Sequence, residues 1–511
     1  MDTPFATQVF RQLFSRPARN CIRAKQPQGR ALGLTRPQRH YASRASQKED
    51  DGSGNSNWQQ RIHAFPRDVS KQLREYPRVS SNELKSRTQR PKRVKMYTRD
   101  FIEGTCCVHG DTTAENADSF SDSLYNPFYG YFSQHATIFN SHRPFDFNAI
   151  RDEAEFNRLV DKSYVEFEDA LDEEEPDETR QLWHTPTELF RPHYGEAIAR
   201  YLVTNYKMTL FPYHDLVIYE MGAGNGTMMQ NILDYIRDTD PEVYARTRFK
   251  VIEISNQLSR LQKQKAFEHL DRIEIVNRSI FDWKEYVNSP CFFLALEVID
   301  NFGHDALRYD PETQVPLQGS VLIDENGEMF DFYERNLDPI VSRYLKIRDT
   351  VARAPYRTPI SGPRFLRTLR HSLPLAPNLT VPEYLPTRLM QFFDILSQYF
   401  PAHRLVLSDF NHLPSSDSVA GLNAPVVQTR YQRRNVQVTT PFVHQGYFDI
   451  FFPTDFQLME DMYRALTGKL TRVSTHESFL RSWADVDATA TLSGENPLLS
   501  WYKNASMMTT V

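Results

Sequence analysis

The sequence predicts an α/β fold built on an open, largely parallel sheet. Three observations point there. Strand-like and helix-like segments alternate from about residue 205 onward. One strand-like segment, residues 291–298, is almost wholly apolar, as a strand covered on both faces must be. A glycine-rich turn, Gly222 to Gly226, sits directly between a strand-like and a helix-like segment.

The elements follow in order. Residues 215–221 read as a strand, and 227–237 as a helix with Met228, Ile232, Leu233 and Ile236 on one side. Residues 248–254 are the second strand. Residues 255–270 read as a helix with Leu258, Leu261 and Phe267 inward, 272–276 as a third strand and 291–298 as the fourth. A basic, proline-containing stretch and an amphipathic helix over 387–399, with Leu389, Phe393, Leu396 and Phe400 in phase, make 339–400 a helical insertion. Strands resume at 404–408 and near 447–452, so 401–511 completes the core that 211–338 begins.

Composition excludes several classes. The chain has 511 residues, 40% of them hydrophobic and 13% aromatic, enough for a sizeable core. No apolar run approaches the roughly 18–20 residues of a membrane helix. Four cysteines (Cys21, Cys106, Cys107 and Cys291), with no C-x-x-C pair, exclude a disulfide scaffold and argue against a structural zinc site; no metal is expected. The net charge of −5 hides an asymmetry, because residues 1–41 carry eight basic side chains and one acid. That is the pattern of a mitochondrial presequence. Arg39, Tyr41, Ala42 and Ser43 resemble a matrix processing site, so the expected destination is the mitochondrial matrix. Residues 42–90 read as a polar linker, and 91–210 as an N-terminal extension of the catalytic domain. Within it, 166–178 holds nine acids and no base and reads as an exposed loop. The basic run at 85–99 reads as a solvated surface rather than a nucleic-acid contact.

Glycine is scarce, 19 of 511, yet Gly222, Gly224 and Gly226 alternate within five residues. After a strand and before a helix, a Cβ would obstruct both the turn and a ligand's approach. The helix N-terminus adds unpaired N–H groups. The dinucleotide fingerprint needs glycine at 227, where Thr227 stands. Glu220 lies two residues before the first glycine, and Glu253 ends the next strand, where an acid accepts the two hydroxyls of an adenosine ribose. This is the pattern of S-adenosylmethionine methyltransferases, with Glu220 placed for the ligand's cationic amino-acid end. Asp282, six residues past the third strand, is placed either to face the adenine amino group or to cap a helix beside Trp283.

The segment Tyr219 to Met229, followed by Ile232 and Leu233, resembles the MidA-like family, the mitochondrial complex I assembly factor group of protein arginine methyltransferases, also found in bacteria. Val251 to Ser255 resembles its second strand. Asn126 to Phe132, Thr185 to Glu188 with Phe190, Gly195 and Glu196, Ser408 to Phe410, and Gly446 to Ile450 with Asp455 and Phe456 match further blocks in the family's order. The chain departs at Leu296 to Gly303, where Glu297 and Asp300 match the family's N-E-F-F-D-A-L-P but its first Asn and its A-L-P do not; it looks like a divergent branch. The resemblance implies a Rossmann-like S-adenosylmethionine methyltransferase sheet and methylation of a protein at arginine, with a respiratory complex I subunit as the acceptor. An arginine acceptor is a permanent cation and needs carboxylates to hold and aim it. Glu297 is the expected acceptor-orienting carboxylate, with Asp300 as its helper. Thr185 and Glu188 are expected at the cofactor or substrate rim. Two rival readings keep the fold: a catalytically degenerate assembly scaffold, and an RNA methyltransferase.

Overall fold

The computed structural model describes residues 94–103, 124, 131–132, 136–323, 329–353, 356–360, 377–413, 419–443 and 446–511. The expected presequence and linker, Cys21, Cys106, Cys107 and Asn126 to Gly130 lie outside the described residues. β1 (Val94–Tyr97) runs into the helix Thr98–Glu103. β2 (Ala136–Ile138) and β3 (Gln181–Trp183) pair in parallel around the long helix Glu153–Glu174. Helices Pro186–Leu189 and His193–Thr209 lead to β4 (Leu216–Met221), β5 (Thr247–Ile252), β6 (Ile273–Val276) and β7 (Cys291–Leu296). Then come β8 (Asp305–Tyr309), β9 (Pro316–Ile323), β10 (Met329–Glu334), the helix Pro339–Val351, β11 (Glu383–Leu385) and the helix Thr387–Tyr399. The chain ends with β12 (His403–Phe410), β13 (Val426–Tyr431), β14 (Arg434–Val438), β15 (Asp449–Phe451), the helix Phe456–Thr467, β16 (Thr471–Thr475), the helix His476–Trp483 and β17 (Ala505–Thr510).

Seven strands form the main sheet in the order β16-β17-β12-β7-β4-β5-β6. β12, β7, β4, β5 and β6 are parallel, and β17 is antiparallel to both its neighbours. From β4 the chain moves outward to β5 and β6, then returns to place β7 on the other side of β4. That reversal opens a crevice at the carboxyl ends of β4, β5 and β7, where open α/β sheets bind ligands. Alternate side chains supply two cores. Ile218, Phe249, Phe292 and Leu294 face the helices His193–Thr209 and Thr227–Thr239, while Tyr219, Met221, Phe293 and Ala295 face Thr387–Tyr399 and Phe456–Thr467.

Four expectations change. The 339–400 segment is not purely helical, because β11 pairs with β8 in a second sheet, β1-β9-β8-β11, with β10 on the other side of β9. Its centre is polar: Asp305, fully buried, accepts from Arg99 (2.8 Å), Gln318 (3.0 Å) and Thr387 (2.6 Å). Arg99 is thus a buried ion-pair partner rather than part of a solvated basic run. Phe267, expected inward, is exposed; the inner face of the helix Asn256–Lys265 carries Ser259 and Gln262 instead, for a reason given below.

The acidic run is also no loop. Up to Glu174 it forms the last turns of the helix Glu153–Glu174, whose spacing aims acids at the β13–β14 hairpin. Glu168 is buried against Arg430, with one N–H···O contact of 2.7 Å, and Arg433 reaches Asp169 and Asp172. Gln181 pairs with both backbone groups of Arg430, at 2.9 Å each. Removing the Arg430 side chain leaves Glu168 buried with only Arg433 at 3.7 Å. Arg430→Ala is expected to cost about 3–5 kcal/mol in urea unfolding, with the lower end favoured by the residual Arg433 contact. A loss below about 1 kcal/mol would put this pair in the class of exposed ones.

Candidate active site

β4 ends at Met221, and the Gly222 N–H extends its pairing by donating to Ile252 O at 3.1 Å. Gly222, Gly224 and Gly226 all have positive φ, at 70°, 51° and 77°. Gly226 N–H closes a turn onto Ala223 O (2.8 Å), and the helix Thr227–Thr239 starts at once. The loop is packed by the chain's own side chains. A Cβ on Gly222 would lie 2.6 Å from Val298 Cγ1, and one on Gly224 would lie 2.8 Å from Ile138 Cδ1. The glycines therefore serve the turn and its packing, and the argument for a ligand rests on the acids beside them.

Glu220, in β4, is 5% exposed, and its Oε2 has no hydrogen-bond partner. Burial first, and the nearby Glu253 second, push its carboxyl up to about 8. Glu253 stands one residue past β5. Its Oε1 accepts from Ser255 N (2.9 Å) and its Oε2 from Gln262 Nε2 (2.9 Å). Burial raises its pKa while these bonds oppose the rise. The same Gln262 amide donates to Gly224 O at 2.9 Å, so one fully buried side chain ties the glycine turn to the acid at the end of β5. This explains the polar inner face of that helix. The sequence signal was there, as Ser259 and Gln262 stand three residues apart on a face that apolar periodicity does not claim.

Thr185 caps the helix Pro186–Leu189, accepting from Glu188 N at 3.3 Å. Glu188 is buried, and its Oε1 accepts from Asn225 Nδ2 (3.0 Å) and Thr227 Oγ1 (2.7 Å). It therefore fastens the glycine turn and the start of the following helix to the N-terminal extension, and its Oε2 has no partner. Lys265 reaches the same Thr227 hydroxyl at 2.8 Å. Asp282 is exposed at the end of a 3-10 turn whose cap is Ser279, so the capping alternative for Asp282 is corrected.

Beyond β7 no helix begins. Glu297 opens a turn with φ 55°, and its N–H donates to Ser408 O at 2.8 Å. The carboxyl of Asp409 in β12 accepts from Ile299 N (3.0 Å) and Asp300 N (3.1 Å), which fixes the turn. Asn301 Nδ2 donates to Asp449 Oδ1 (3.1 Å) and Ile450 O (3.0 Å), and Phe452 N–H donates to Asp300 O (2.8 Å), so β15 is stitched to the same turn. Burial, then the neighbouring acids, hold Glu297 and Asp300 well above the usual carboxylate range. Burial lifts Asp409 and Asp449 to about 7. Glu297 keeps partial solvent contact although protein surrounds its carboxyl. Val298 links the two halves of the site, since it packs on Gly222. The structure thus gathers Glu220, Glu253 and Glu188 around the glycine turn, sets Glu297 and Asp300 on the turn packed against it, and leaves Asp282 exposed on the 3-10 turn after β6.

This donor set suits a nucleoside with a cationic amino-acid end. The orphan buried oxygen of Glu220 matches an ammonium, and the lone pairs left on Glu253 match a diol. The fold and site define a methyltransferase of the nucleoside-binding α/β class. A family profile described as "Putative S-adenosyl-L-methionine-dependent methyltransferase" matches residues 197–474, and the chain belongs to that family. Its cofactor is S-adenosyl-L-methionine. The chain is 28% identical over 402 residues to "Protein arginine methyltransferase NDUFAF7 homolog, mitochondrial" of Schizosaccharomyces pombe, covering 74% of this chain and 81% of that protein. It is 21% identical over 337 residues to the protein of the same name from Saccharomyces cerevisiae, covering 62% and 77%. Among solved structures, a COG1565 superfamily member from Burkholderia thailandensis bound to S-adenosyl-homocysteine has a TM-score of 0.47 at 13% identity, over 76% of this chain and 85% of that one. Among the described residues, no helix is long and apolar enough to cross a membrane.

If Glu220 is the carboxylate that meets the cofactor's ammonium, cofactor binding is pH-dependent. In the free protein it holds a proton below about pH 8, and pairing with an ammonium requires it to lose that proton. Affinity is therefore expected to rise with pH, by up to about tenfold per unit, and to level off above about pH 8. Calorimetry in buffers of different ionisation enthalpy should show proton release, and Glu220→Gln should abolish both the slope and the release.

Proposed function

We propose that this protein is a mitochondrial matrix methyltransferase that transfers the methyl group of S-adenosyl-L-methionine to arginine residues of a protein, acting in respiratory complex I assembly. The carrying observation is the turn Glu297–Asp300, an acidic floor packed directly on the glycine turn through Val298. The names of the two yeast relatives support the arginine acceptor and the mitochondrial address. The Arg-rich, acid-poor start of the chain supports import. The complex I connection rests on the sequence resemblance.

When bound, the cofactor supplies a methyl group already activated on a sulfonium. The protein's part is placement and exclusion of water. Glu220, Glu253 and the glycine turn hold the nucleoside, with Gln262 and Glu188 fixing that turn. Glu297 aims the guanidinium, and its Oε atoms take the proton that the methylated nitrogen releases. An entering cation favours the ionised carboxylates, which reverses the effect of burial.

A labelled-methyl assay on mitochondrial extract from a strain lacking the gene tests the reading. Methylarginine in digested protein supports it. Label in RNA, or no label with normal cofactor binding, would favour one of the rivals. Calorimetry with Gly224→Val alongside the wild type ties the heat to this loop.

A further inference from the structure

Four carboxyls face the turn after β7: Glu297, Asp300, Asp409 and Asp449. They come from the turn itself, β12 and β15. None of them forms an ion pair with a described Lys, Arg or His, whereas most buried acids elsewhere in the molecule do: Asp305 and Asp338 have Arg99, Glu383 has Arg348, and Glu168 has Arg430. The four are not equivalent. Asp409 is fully buried and spends both oxygens on backbone N–H groups, so its role is internal. Asp300 is 6% exposed, and its Oδ1 has no partner at all. Asp449 is half-buried, with Oδ1 held by the amide of Asn301, the residue directly after Asp300, and its charge acts on Asp300.

The spacing selects the kind of cation. Among the described residues, only Asp234, Glu268 and His269 bring three donor atoms within 4.8 Å of one another, so the acids here do not converge on one point as a metal ion requires. Acids carried by one turn and two separate strands, with the orphan Asp300 Oδ1 buried among them, suit a flat, delocalised cation whose N–H groups fan outward.

We propose that Asp300 and Asp449 form a two-armed clamp for the acceptor's guanidinium, with Asn301 as the positioning residue that orients Asp449. Asp449 then determines charge specificity, while Glu297 lies nearest the reacting nitrogen. This rests on the protein-arginine reading above. It adds a residue from β15, 149 positions beyond Asp300, to the acceptor site.

The test uses the full-length protein saturated with S-adenosyl-homocysteine, titrated with L-arginine and with L-citrulline, its neutral near-isostere. The wild type should bind arginine and reject citrulline. Asp449→Asn should weaken arginine binding at least about tenfold, the scale of one lost charge-assisted contact, with S-adenosyl-homocysteine affinity unchanged. Asn301→Ala, which leaves the charge but frees the arm, should fall between, and Asp449→Glu should recover part of the loss. Unchanged nucleoside affinity shows that each variant is folded. Equal binding of citrulline, undiminished arginine binding in Asp449→Asn, or no arginine binding by the wild type overturns the clamp. Methylarginine formation by the wild type in extract is read separately, so the clamp can fail while the broader function stands.

Discussion

Glu297→Gln is expected to lower methyl transfer by about 10²–10⁴-fold while leaving S-adenosyl-L-methionine affinity nearly unchanged. The change keeps size and shape but removes the charge and the proton acceptor. The cofactor contacts proposed above are Glu220, Glu253 and the glycine turn, not this side chain. The backbone makes a sharper test available. Glu297 has φ 55°, a conformation that costs a non-glycine residue about 1–2 kcal/mol. Strain of this kind persists where the surroundings enforce it: here the Glu297 N–H is held by Ser408 O, and the next residues by the Asp409 carboxyl. Glu297→Gly should therefore raise thermal stability and abolish turnover together. Stability lost with activity kept would mean that the side chain serves packing, and the acceptor role would have to move elsewhere on the turn.

Both halves of the site answer to pH in the same direction. Glu220 and the acids of the 297–300 turn all have folded-state pKa values above their unfolded ones. Raised carboxyls favour the folded state most fully below the unfolded pKa, near 4–4.5, and that contribution is lost as pH rises toward about 8. The free protein should become less stable across this window. A bound cation reverses the preference, so the stabilisation conferred by S-adenosyl-L-methionine should grow over the same range.

Much of this was legible in the sequence because it is local. The strand, the glycine turn and the helix 227–239 are contiguous, and their apolar periodicity places Met228, Ile232, Leu233 and Ile236 where the structure buries them. The acid run misled because its partners, Arg430 and Arg433, lie more than 250 residues away, and an acidic stretch without visible partners reads as solvated. Gln262 escaped notice for a related reason: hydrogen bonds to a carbonyl and a carboxylate leave no hydrophobic signature. The turn after β7 is held by Asp409 and Asp449 across separations of 110 and 148 residues. Nothing in spacing brings those residues together; only the resemblance placed their motifs in order, without giving them roles.

Gly222→Ala is the substitution in which fold and function meet. The new methyl group meets two costs. The positive φ of 70° penalises any Cβ, and this Cβ would stand 2.6 Å from Val298 Cγ1, a distance the packing cannot accept. The first cost is about 1–2 kcal/mol, and the second adds about 1–3 kcal/mol of overpacking. Gly468 isolates the first cost, since it has the same φ of 70° at the end of the helix Phe456–Thr467 and nothing within 4 Å of its Cβ position. Gly468→Ala should lose only the backbone share in urea unfolding, and the excess at Gly222 measures the contact with Val298. Val298→Ala in the Gly222→Ala background should recover much of that excess, since the two residues are coupled. Val298 sits between Glu297 and Asp300, so pushing it displaces the acidic turn as well as the glycine turn. Gly222→Ala should therefore weaken cofactor binding by at least about tenfold and depress methyl transfer further than the lost binding explains. Equal unfolding costs at Gly222 and Gly468 would show that the two turns are not in contact, and the coupling of cofactor site to acceptor site through Val298 would fall with it.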